Sequence, residues 1–391
     1  MIAQMEHEVI TLLRQFIGFR TVAGENDEKK KCLEWIHNAF LERPALRGVE
    51  RLALSLDSPL DAASRPRLRK AMWGDIDGAP YLYLPHPTPK LLWFAHIDVV
   101  PADDHQFDLI VDDDRLIGRG TADMKGNQLP FLIAYRDALR LGMDPAISIL
   151  FTSDEETAGQ TIPTLLDAKV ITGTPVAFTP DCGPKIVCEH KGIVWADLVC
   201  TGKGCHAAYP WAGKNPIFLL MEALANIKKK YPPEEKEEWR MTVTPTDIKG
   251  SDARNQIPES ASCKLDIRYT ADTASSPEDA IQKVKSILPH GCVLTVHQAA
   301  SPLNTDPKHP MVQLMKRLAE EVSKEAMPIF REPGGTDARY FGEKGIPAFL
   351  CGVEGGGIHG KEEWVSLSSL LKNYELSKRL IAYTLSDDGA A

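Results

Sequence analysis

Side chains able to bind a metal ion stand at five separated positions of this sequence, each after an apolar run or in a glycine-rich loop. They are His96, Asp123, the adjacent pair Glu155 and Glu156, Asp181 and His359. Nitrogen and oxygen ligands without cysteine favour zinc, with cobalt or manganese as alternatives. Two histidines and three carboxylates supply two half-sites that share one bridging carboxylate, and the metals of such hydrolases lie about 3.5–4 Å apart. The pattern therefore predicts a two-metal hydrolytic centre.

Three carboxylates near these positions offer roles beyond that of a shared ligand. Glu155 and Glu156 are adjacent at a predicted strand end, so their side chains should point in different directions. One can bind a metal while the other stays available as a general base. Asp98 lies two residues after His96 and is a natural partner for the ring nitrogen that does not face a metal. His190 is not accompanied by acidic residues at matching strand ends, and it is predicted to be a surface or packing residue.

The segments that must position these side chains alternate between strand and helix patterns. The sequence predicts strands over 47–56, 80–85, 91–96, 146–152 and 176–181, and a helix over 125–141. This alternation favours an α/β fold with a doubly wound, mostly parallel sheet. Ligands in such sheets bind at the C-terminal ends of the strands, which is where the candidate metal ligands lie.

A different pattern begins near His190. Strand, helix, strand, strand, helix and strand follow one another as far as Ala299, which is the order of a ferredoxin-like α+β domain. The α/β pattern then returns, so residues 190–300 are predicted to form a domain inserted between the two parts of a catalytic domain, 1–189 and 301–391. An inserted domain can close over a site as a lid.

Length, charge and composition exclude several classes of protein. A chain of 391 residues favours two domains, and a net charge of −9 argues against non-specific nucleic-acid binding. No apolar run reaches membrane-spanning length, and the acidic N-terminal segment lacks the pattern of a signal peptide. Eight cysteines without C-x-x-C spacing predict free thiols. Together these features predict a soluble cytoplasmic protein that binds neither nucleic acid nor membrane.

Seven motifs follow one another along the chain. They are His96–Pro101, Gly118–Gly126, Asp154–Glu156, Gly204–His206, Asn255–Pro258, Gly334–Asp337 and the single residue His359. In these motifs and in their order, the chain resembles the dinuclear zinc exopeptidases and deacylases. That family includes acetylornithine deacetylase, succinyl-diaminopimelate desuccinylase, glutamate carboxypeptidase, aminoacylase and carnosine dipeptidase.

The resemblance implies a role for each residue of the site. Asp123 would bridge two zinc ions, and Glu155 would be the general base. Besides Asp123, the ligands of one ion would be His96 and Asp181, and the ligands of the other would be Glu156 and His359. The resemblance also implies a cis peptide after Asp123, dimerisation through the lid, and stabilisation of the oxyanion by the lid histidine, His206.

A substrate with a free carboxylate needs a cationic group to hold it, and a planar guanidinium is the best single group for this. Arg254 and Arg339 are the candidates from the residues themselves. The resemblance favours Arg339 together with the turn at Gly335 and Thr336, and it adds Asn255 from the lid. These residues are the predicted substrate-binding set.

The residue at position 181 bears on the substrate. An aspartate there resembles the dipeptidase, aminoacylase and carboxypeptidase branches more than the deacetylase and desuccinylase branches. We therefore expect hydrolysis of an amide bond in a dipeptide or N-acyl amino acid that bears a free carboxylate. The two metals would polarise the scissile carbonyl and acidify the attacking water, and Glu155 would carry the proton. The alternatives are a biosynthetic deacylase and, after it, a family member that only binds its ligand.

Overall fold

The structure is a computed structural model that describes residues 2–42, 69–157 and 159–385. The described residues form two compact units. Unit 1 comprises Met1–Cys188, Thr305–Phe330 and Lys344–Ala391 as far as these are described, and unit 2 comprises Glu189–Asn304 and Arg331–Glu343. The strand predicted over 47–56 lies outside the described residues.

Local sequence accounts for where several helices begin. The helices are α1 (Ile2–Gly18), α2 (Asn26–Ile36), α3 (Lys125–Arg140), α4 (Thr161–Asp167), α5 (Pro216–Lys230), α6 (Pro277–Lys285), α7 (Pro310–Ser323), α8 (Ala338–Glu343) and α9 (Leu367–Leu385). Proline opens α5, α6 and α7, where its missing N–H loses no hydrogen bond. Asn215, Ser276 and His309 cap these three helices by accepting a backbone N–H. Within the described part of the chain, no helix combines the length and the apolar character needed to cross a lipid bilayer.

The strands lie largely where the apolar runs predict them. Those of the first half are β1 (Met72–Ile76), β2 (Ala79–Leu84), β3 (Leu91–His96), β4 (Ile110–Asp112), β5 (Arg115–Ile117), β6 (Ile147–Thr152), β7 (Ala177–Thr179), β8 (Ile186–His190), β9 (Gly192–Thr201) and β10 (Cys205–His206). Those of the second half are β11 (Thr242–Lys249), β12 (Gln256–Ile257), β13 (Ser260–Tyr269), β14 (Cys292–Ala300), β15 (Leu303–Asn304), β16 (Ile329–Glu332), β17 (Ala348–Cys351), β18 (Gly355–Gly356) and β19 (Trp364–Ser366).

The main sheet of unit 1 has a parallel centre. Its strands run in the order β1-β2-β6-β3-β7-β17-β8, in which β6, β3, β7 and β17 are parallel neighbours and the flanking pairs are antiparallel. Every residue of β3 and β6 is buried, as is typical of parallel strands covered on both faces. Trp93 of β3 stacks on Phe131 of α3 with ring centroids 4.4 Å apart. The predicted α/β fold with a largely parallel central sheet is confirmed.

A smaller sheet of unit 1 carries the two loops that contain the predicted metal ligands Asp123 and His359. Its order is β18-β19-β5-β4. The chain leaves β5 through residues 118–124 before it enters α3, and residues 357–363 connect β18 to β19. Because β5 and β19 are antiparallel neighbours, with Ile117 opposite Trp364, the two loops lie at the same end of this sheet.

Unit 2 has its own sheet and its own core. Its four strands run in the order β11-β13-β9-β14 and all neighbours are antiparallel. Side chains of α5 and α6 pack with these strands in a hydrophobic cluster distinct from that of unit 1. This is the β-α-β-β-α-β arrangement predicted for the ferredoxin-like segment.

The structure corrects the prediction that all eight cysteines are free thiols. Cys200 of β9 and Cys292 of β14 form a disulfide, and their Cα atoms are 4.2 Å apart. The two residues are direct partners in the antiparallel register of these strands. A sequence separation of 92 residues does not reveal such a pairing, because it depends on the order of the strands in the sheet.

Candidate metal centre

The C-terminal end of β3 places His96 in the interior of unit 1. Its side chain is buried, and its ring Nδ1 lies 3.1 Å from the backbone oxygen of Asp98 and 3.4 Å from Asp98 Oδ1. Asp98 Oδ2 in turn accepts a hydrogen bond of 2.9 Å from the backbone N–H of Glu156. A proton on Nδ1 leaves the lone pair of Nε2 for a ligand. Asp98 therefore lies where a partner of the other ring nitrogen is expected.

The loop after β5 places Asp123 between two histidines. Asp123 Oδ1 lies 3.2 Å from His96 Nε2, and Asp123 Oδ2 lies 3.2 Å from His359 Nε2. The peptide bond between Asp123 and Met124 is cis, as the resemblance implied. A carboxylate that turns one oxygen towards each imidazole has the arrangement of a bridging ligand.

Two further carboxylates complete two overlapping clusters. Asp181, which follows β7, has its Oδ1 4.0 Å from His96 Nε2, and Glu156 has its Oε2 3.2 Å from His359 Nε2. The ligand atoms of His96, Asp123 and Asp181 lie within 4.8 Å of one another, and so do those of Asp123, Glu156 and His359. All five residues belong to unit 1. The structure therefore brings together the five side chains that the resemblance implies as metal ligands.

Crowding and burial of these groups shift their pKa values. Burial and the charge of Asp123 raise the pKa of Glu156 to about 7. Burial would raise the pKa of Asp123, but His359 and His96 outweigh it and hold that pKa below its usual range. Contact with Asp123 raises the pKa of His359 to about 9, whereas for His96 burial lowers the pKa and Asp123 and Asp98 more than reverse this. The crowded carboxylates therefore stabilise positive charge bound among them, whether it is a proton or a cation.

The residues present fit a pair of divalent cations. Imidazole nitrogens and carboxylate oxygens form a donor set that suits zinc, cobalt or manganese. His96 Nε2 is buried, and it makes no hydrogen bond of good geometry to any residue that the structure describes. Asp123 Oδ1 lies 3.2 Å away from it. A buried nitrogen in this position calls for another partner. A cation held jointly with Asp123 would satisfy it.

Glu155 lies beside the cluster without belonging to it. It opens a short 3-10 turn over Glu155–Thr157 and is in neither of the two three-residue clusters. Burial raises the pKa of Glu155 to about 7, in spite of the opposing effect of His96, and Asp123 adds to the rise. A carboxyl group with a pKa near neutrality can both accept and release a proton at pH 7. Its position and chemistry suit the predicted general base.

Two charged residues at this site were missed by the sequence analysis. Arg119 and Glu363 form a buried ion pair between the loop that carries Asp123 and the loop that carries His359. Arg119 lies within the motif Gly118–Gly126 and could have been singled out as a charge among small residues. For Glu363 the signal was only its spacing of four residues from His359.

Three of the predicted residues lie in one exposed part of unit 2. β10, which contains His206, pairs with β12, and the N–H of Ala207 donates a hydrogen bond of 2.8 Å to the oxygen of Asn255, the neighbour of Arg254. His206 Nδ1 accepts a hydrogen bond of 3.1 Å from the N–H of Ala208. The neutral ring therefore carries its proton on Nε2, where it can donate to another group.

The other three predicted substrate residues form a second group in unit 2. Arg339 is buried, and its guanidinium donates to the oxygen of Thr336 at 2.8 Å and to the hydroxyl of Tyr340 at 3.0 Å. The N–H of Thr336, next to Gly335, donates to His190 Nε2 at 3.4 Å. Burial lowers the pKa of His190 to about 4, so the ring is neutral. His190, predicted as a surface or packing residue, is buried next to this group.

Comparisons with known proteins bear on this geometry. The family model described as peptidase family M20/M25/M40 matches residues 92–383. Succinyl-diaminopimelate desuccinylase of Rickettsia bellii (strain OSU 85-389) is 27% identical over 351 residues, which cover 82% of this chain and 88% of the relative. The M20 family metallo-carboxypeptidase Sso-CP2 from Sulfolobus solfataricus has a TM-score of 0.74 at 16% identity, with 97% of this chain and 99% of that chain covered. The YXEP protein of Bacillus subtilis, described as a dinuclear metal binding peptidase, has a TM-score of 0.64 at 15% identity, with 98% and 99% covered.

The match to the family model carries the most weight. The two solved structures are too distant in sequence to show more than a shared fold. The family model, in contrast, spans most of the chain and includes every candidate metal ligand from His96 to His359. The chain therefore belongs to peptidase family M20/M25/M40, whose members are hydrolases that act on amide bonds.

Proposed function

We propose that the chain hydrolyses an amide bond in a dipeptide or N-acyl amino acid that bears a free carboxylate, with two zinc ions as cofactors. The observation that carries this proposal is the position of Asp123, whose two oxygens each lie 3.2 Å from a different histidine. Cobalt and manganese are the alternative metals for this donor set. The dinuclear metal binding named for the Bacillus subtilis neighbour supports a pair of ions.

The proposed mechanism divides the chemistry among a few groups. The residues that would hold the ions are His96, Asp123 and Asp181 for one, and Asp123, Glu156 and His359 for the other. When bound, the two ions would polarise the scissile carbonyl and increase the acidity of the attacking water. Glu155 takes the proton of that water and passes it to the leaving amine. The Nε2–H of His206 donates a hydrogen bond to the carbonyl oxygen as negative charge develops there and keeps its proton throughout. Asp98 holds His96 in the required orientation.

Substrate selection is proposed to depend on unit 2. Arg339 would pair with the free carboxylate of the substrate, because its contacts with Thr336 and Tyr340 hold the guanidinium in one orientation. The backbone at Gly335 and Thr336 would add hydrogen bonds to the same carboxylate. Asn255 would contribute from the strand beside His206, and the exposed Arg254 is the second candidate for the cationic group.

Unit 2 is also proposed to act as a lid and as the contact between two copies of the chain. Apolar side chains on its surface support a contact with another molecule. Trp211 is 79% exposed and Phe218 is 69% exposed, and Met221 lies one helical turn from Phe218 on α5. Large exposed apolar side chains such as these are typical of protein–protein contacts.

Two other functions are kept as alternatives. A desuccinylase-type or deacetylase-type deacylase is favoured by the similarity to the Rickettsia bellii desuccinylase, whereas Asp181 favours the peptidase and aminoacylase branches. A non-catalytic family member is the third candidate. The five candidate ligands, with Glu155 beside them, argue against it, because pure binding does not need a carboxyl group in the position of a general base.

A substrate screen tests the proposed function. The purified chain is stripped with a chelator and reloaded with zinc, cobalt or manganese, and dipeptides, N-acetyl amino acids and N-succinyl amino acids are followed by release of free amine. We expect turnover only after metal is restored, and the best acyl group separates peptidase from deacylase. Glu155→Gln should lower kcat by at least about 100-fold while two metal ions per chain remain bound.

The control is Glu375→Gln, a change of an exposed glutamate on α9 that is 53% exposed, which should leave both kcat and metal content at wild-type values. Turnover that survives removal of the metal contradicts the two-metal proposal. Activity retained by Glu155→Gln contradicts its role as the base. A metal-loaded chain that hydrolyses no member of the screen favours the binding function.

A further inference from the structure

A buried ion pair connects the two loops that carry Asp123 and His359. Arg119 Nη1 lies 2.5 Å from Glu363 Oε2, and the two side chains are 3% and 1% exposed. The pairing of β5 with β19 brings these residues together, since Arg119 follows β5 and Glu363 precedes β19. Two opposite charges at this depth depend on further hydrogen bonds for their stability. Arg119 Nη2 and Glu363 Oε1 make such bonds, whereas Arg119 Nε has no hydrogen-bond partner among the described residues.

Glu363 uses its other oxygen to hold the backbone at Asp123. Its Oε1 accepts hydrogen bonds from the N–H of Ala122 at 2.9 Å and from the N–H of Asp123 at 3.0 Å. The backbone oxygen of Glu363 also accepts from the N–H of Gly118 at 2.9 Å. Glu363 is therefore bound to both ends of the loop segment that presents Asp123, through its carboxylate at Ala122 and Asp123 and through its backbone oxygen at Gly118.

Arg119 holds the backbone at the second loop. Its Nη2 donates to the oxygen of His359 at 3.2 Å and to the oxygen of Gly360 at 3.1 Å. His359 has a φ of 61°, in the left-handed region that few non-glycine residues adopt without support from their surroundings. The carbonyl oxygens of the consecutive residues His359 and Gly360 thus both accept from one guanidinium, and that of Gly360 also accepts from Gln106 Nε2 at 3.2 Å.

The first metal position is the one formed by His96, Asp123 and Asp181, and the second is the one formed by Asp123, Glu156 and His359. We infer that Arg119 and Glu363 are positioning residues that set the separation between Asp123 and His359, and hence the affinity of the second metal position. The inference rests on the proposed two-metal function. His96 stands on the buried strand β3 and is oriented by Asp98, so the first position has support that does not involve the ion pair. His359 is half exposed and depends on its loop. Loss of the pair should therefore weaken the two positions unequally.

Metal titration of the 391-residue chain tests this inference. Arg119→Lys keeps the charge opposite Glu363 but replaces the two separate groups Nη1 and Nη2, of which one contacts Glu363 and the other the carbonyl oxygens, with a single nitrogen. Glu363→Gln keeps an acceptor for the backbone N–H groups but loses the ion pair. The dissociation constant of each cobalt ion is measured by calorimetry and by the visible spectrum. We expect the second constant to rise by about 10- to 100-fold, the range seen for residues that orient metal ligands, while the first changes by less than about threefold.

Two further variants make the result decisive. Arg136→Lys alters another buried arginine of unit 1, which pairs with Glu8 and Asp137, and it should leave both constants at their wild-type values. The double variant Arg119→Met/Glu363→Met removes both charges together, which avoids an unpaired buried charge and allows the titration if a single variant fails to fold. Its second constant should also rise.

The ratio of the two constants separates positioning from general destabilisation. Equal weakening of both positions, or two unchanged constants in a folded variant, overturns the inference. Excess cobalt should restore turnover to the Arg119→Lys chain, which a damaged fold would not allow. The titration needs no turnover, so a wild-type chain that binds two ions and hydrolyses nothing contradicts the proposed function alone.

Discussion

The two ring nitrogens of His96 lie in different surroundings, and this difference decides what the residue can do. Nδ1 contacts Asp98 at the backbone oxygen and the carboxylate, whereas Nε2 faces Asp123 and Asp181. Since a neutral imidazole has one donor and one acceptor nitrogen, the contact with Asp98 selects the form in which Nε2 is the acceptor. The spacing of His96 and Asp98 predicted that they would lie on the same side, and the structure places them in contact near one end of β3; the role of Asp98 stays a prediction.

His190 shows the opposite case, in which residue type and spacing gave no useful signal. It is 1% exposed, and its Nε2 accepts the N–H of Thr336, 146 residues further along the chain. Burial lowers its pKa to about 4, and the charge of Arg339 contributes to the same direction. The unfolded chain has an ordinary histidine pKa of about 6.5, so it binds more protons than the folded chain between these values.

We predict that His190 makes the folded chain less stable as pH falls. Because the fold holds His190 neutral, the free energy of unfolding is highest above about pH 6.5 and decreases as the pH falls towards about 4. The decrease between pH 7 and pH 5 is roughly 2 kcal/mol. In His190→Gln this part of the pH dependence should be absent. Thermal unfolding of the metal-free chain, followed by circular dichroism at pH 7, 6 and 5, measures it. His105→Gln, at an exposed position, should retain the wild-type profile; a wild-type profile in His190→Gln would contradict the prediction.

At the scale of elements, the short connections around α3 and β19 matter more than the long strands. Asp123 lies between β5 and α3, and His359 lies between β18 and β19. The long apolar strands β3 and β6 could be predicted from their composition, because buried parallel strands are continuously apolar. The two-residue strand β18 and the pairing of β5 with β19 could not, since such short segments have no periodicity of their own.

We predict that the start of α3 is critical for the loop that carries Asp123. A Cβ atom on Gly126 would overlap the backbone oxygen of Thr121, and a backbone atom cannot rotate away. Gly126→Ala should therefore lower the free energy of unfolding by about 1–3 kcal/mol and weaken metal binding, because Asp123 would move with the loop. Denaturant unfolding and metal titration measure the two effects.

The matched control is Gly18→Ala at the end of α1, where a Cβ atom would meet no atom within 4 Å. It should be close to wild type in both measurements. If Gly126→Ala kept wild-type stability and metal affinity, the close approach of α3 to the Asp123 loop would have no energetic importance.

At the scale of the whole molecule, the residues proposed for chemistry and for substrate recognition are distributed over two units. The five candidate metal ligands, Glu155, and the pair of Arg119 and Glu363 all belong to unit 1, whereas His206 and Arg339 belong to unit 2. Each unit has its own hydrophobic cluster. Metal binding should therefore stabilise unit 1 directly.

We predict that zinc raises the unfolding temperature of unit 1. A ligand present at 1,000 times its dissociation constant stabilises the folded state by about 4 kcal/mol, and two ions add to this. Scanning calorimetry of the chelator-treated chain with and without zinc measures the shift. If the units unfold in separate transitions, only the transition of unit 1 should move at low zinc. An unchanged thermogram for the wild-type chain would contradict metal binding by this cluster, and His96→Ala should abolish most of the shift.

The sequence by itself determined the α/β pattern, the β-α-β-β-α-β segment and the set of acidic and histidine residues at strand ends, because these depend on local periodicity and residue type. Only the tertiary structure decided that the Asp123 carboxylate lies between His96 and His359, that Arg119 and Glu363 join their loops, and that Cys200 pairs with Cys292. Each of these contacts joins residues that are distant in the sequence. Their proximity follows from the order and register of strands, which no local pattern encodes.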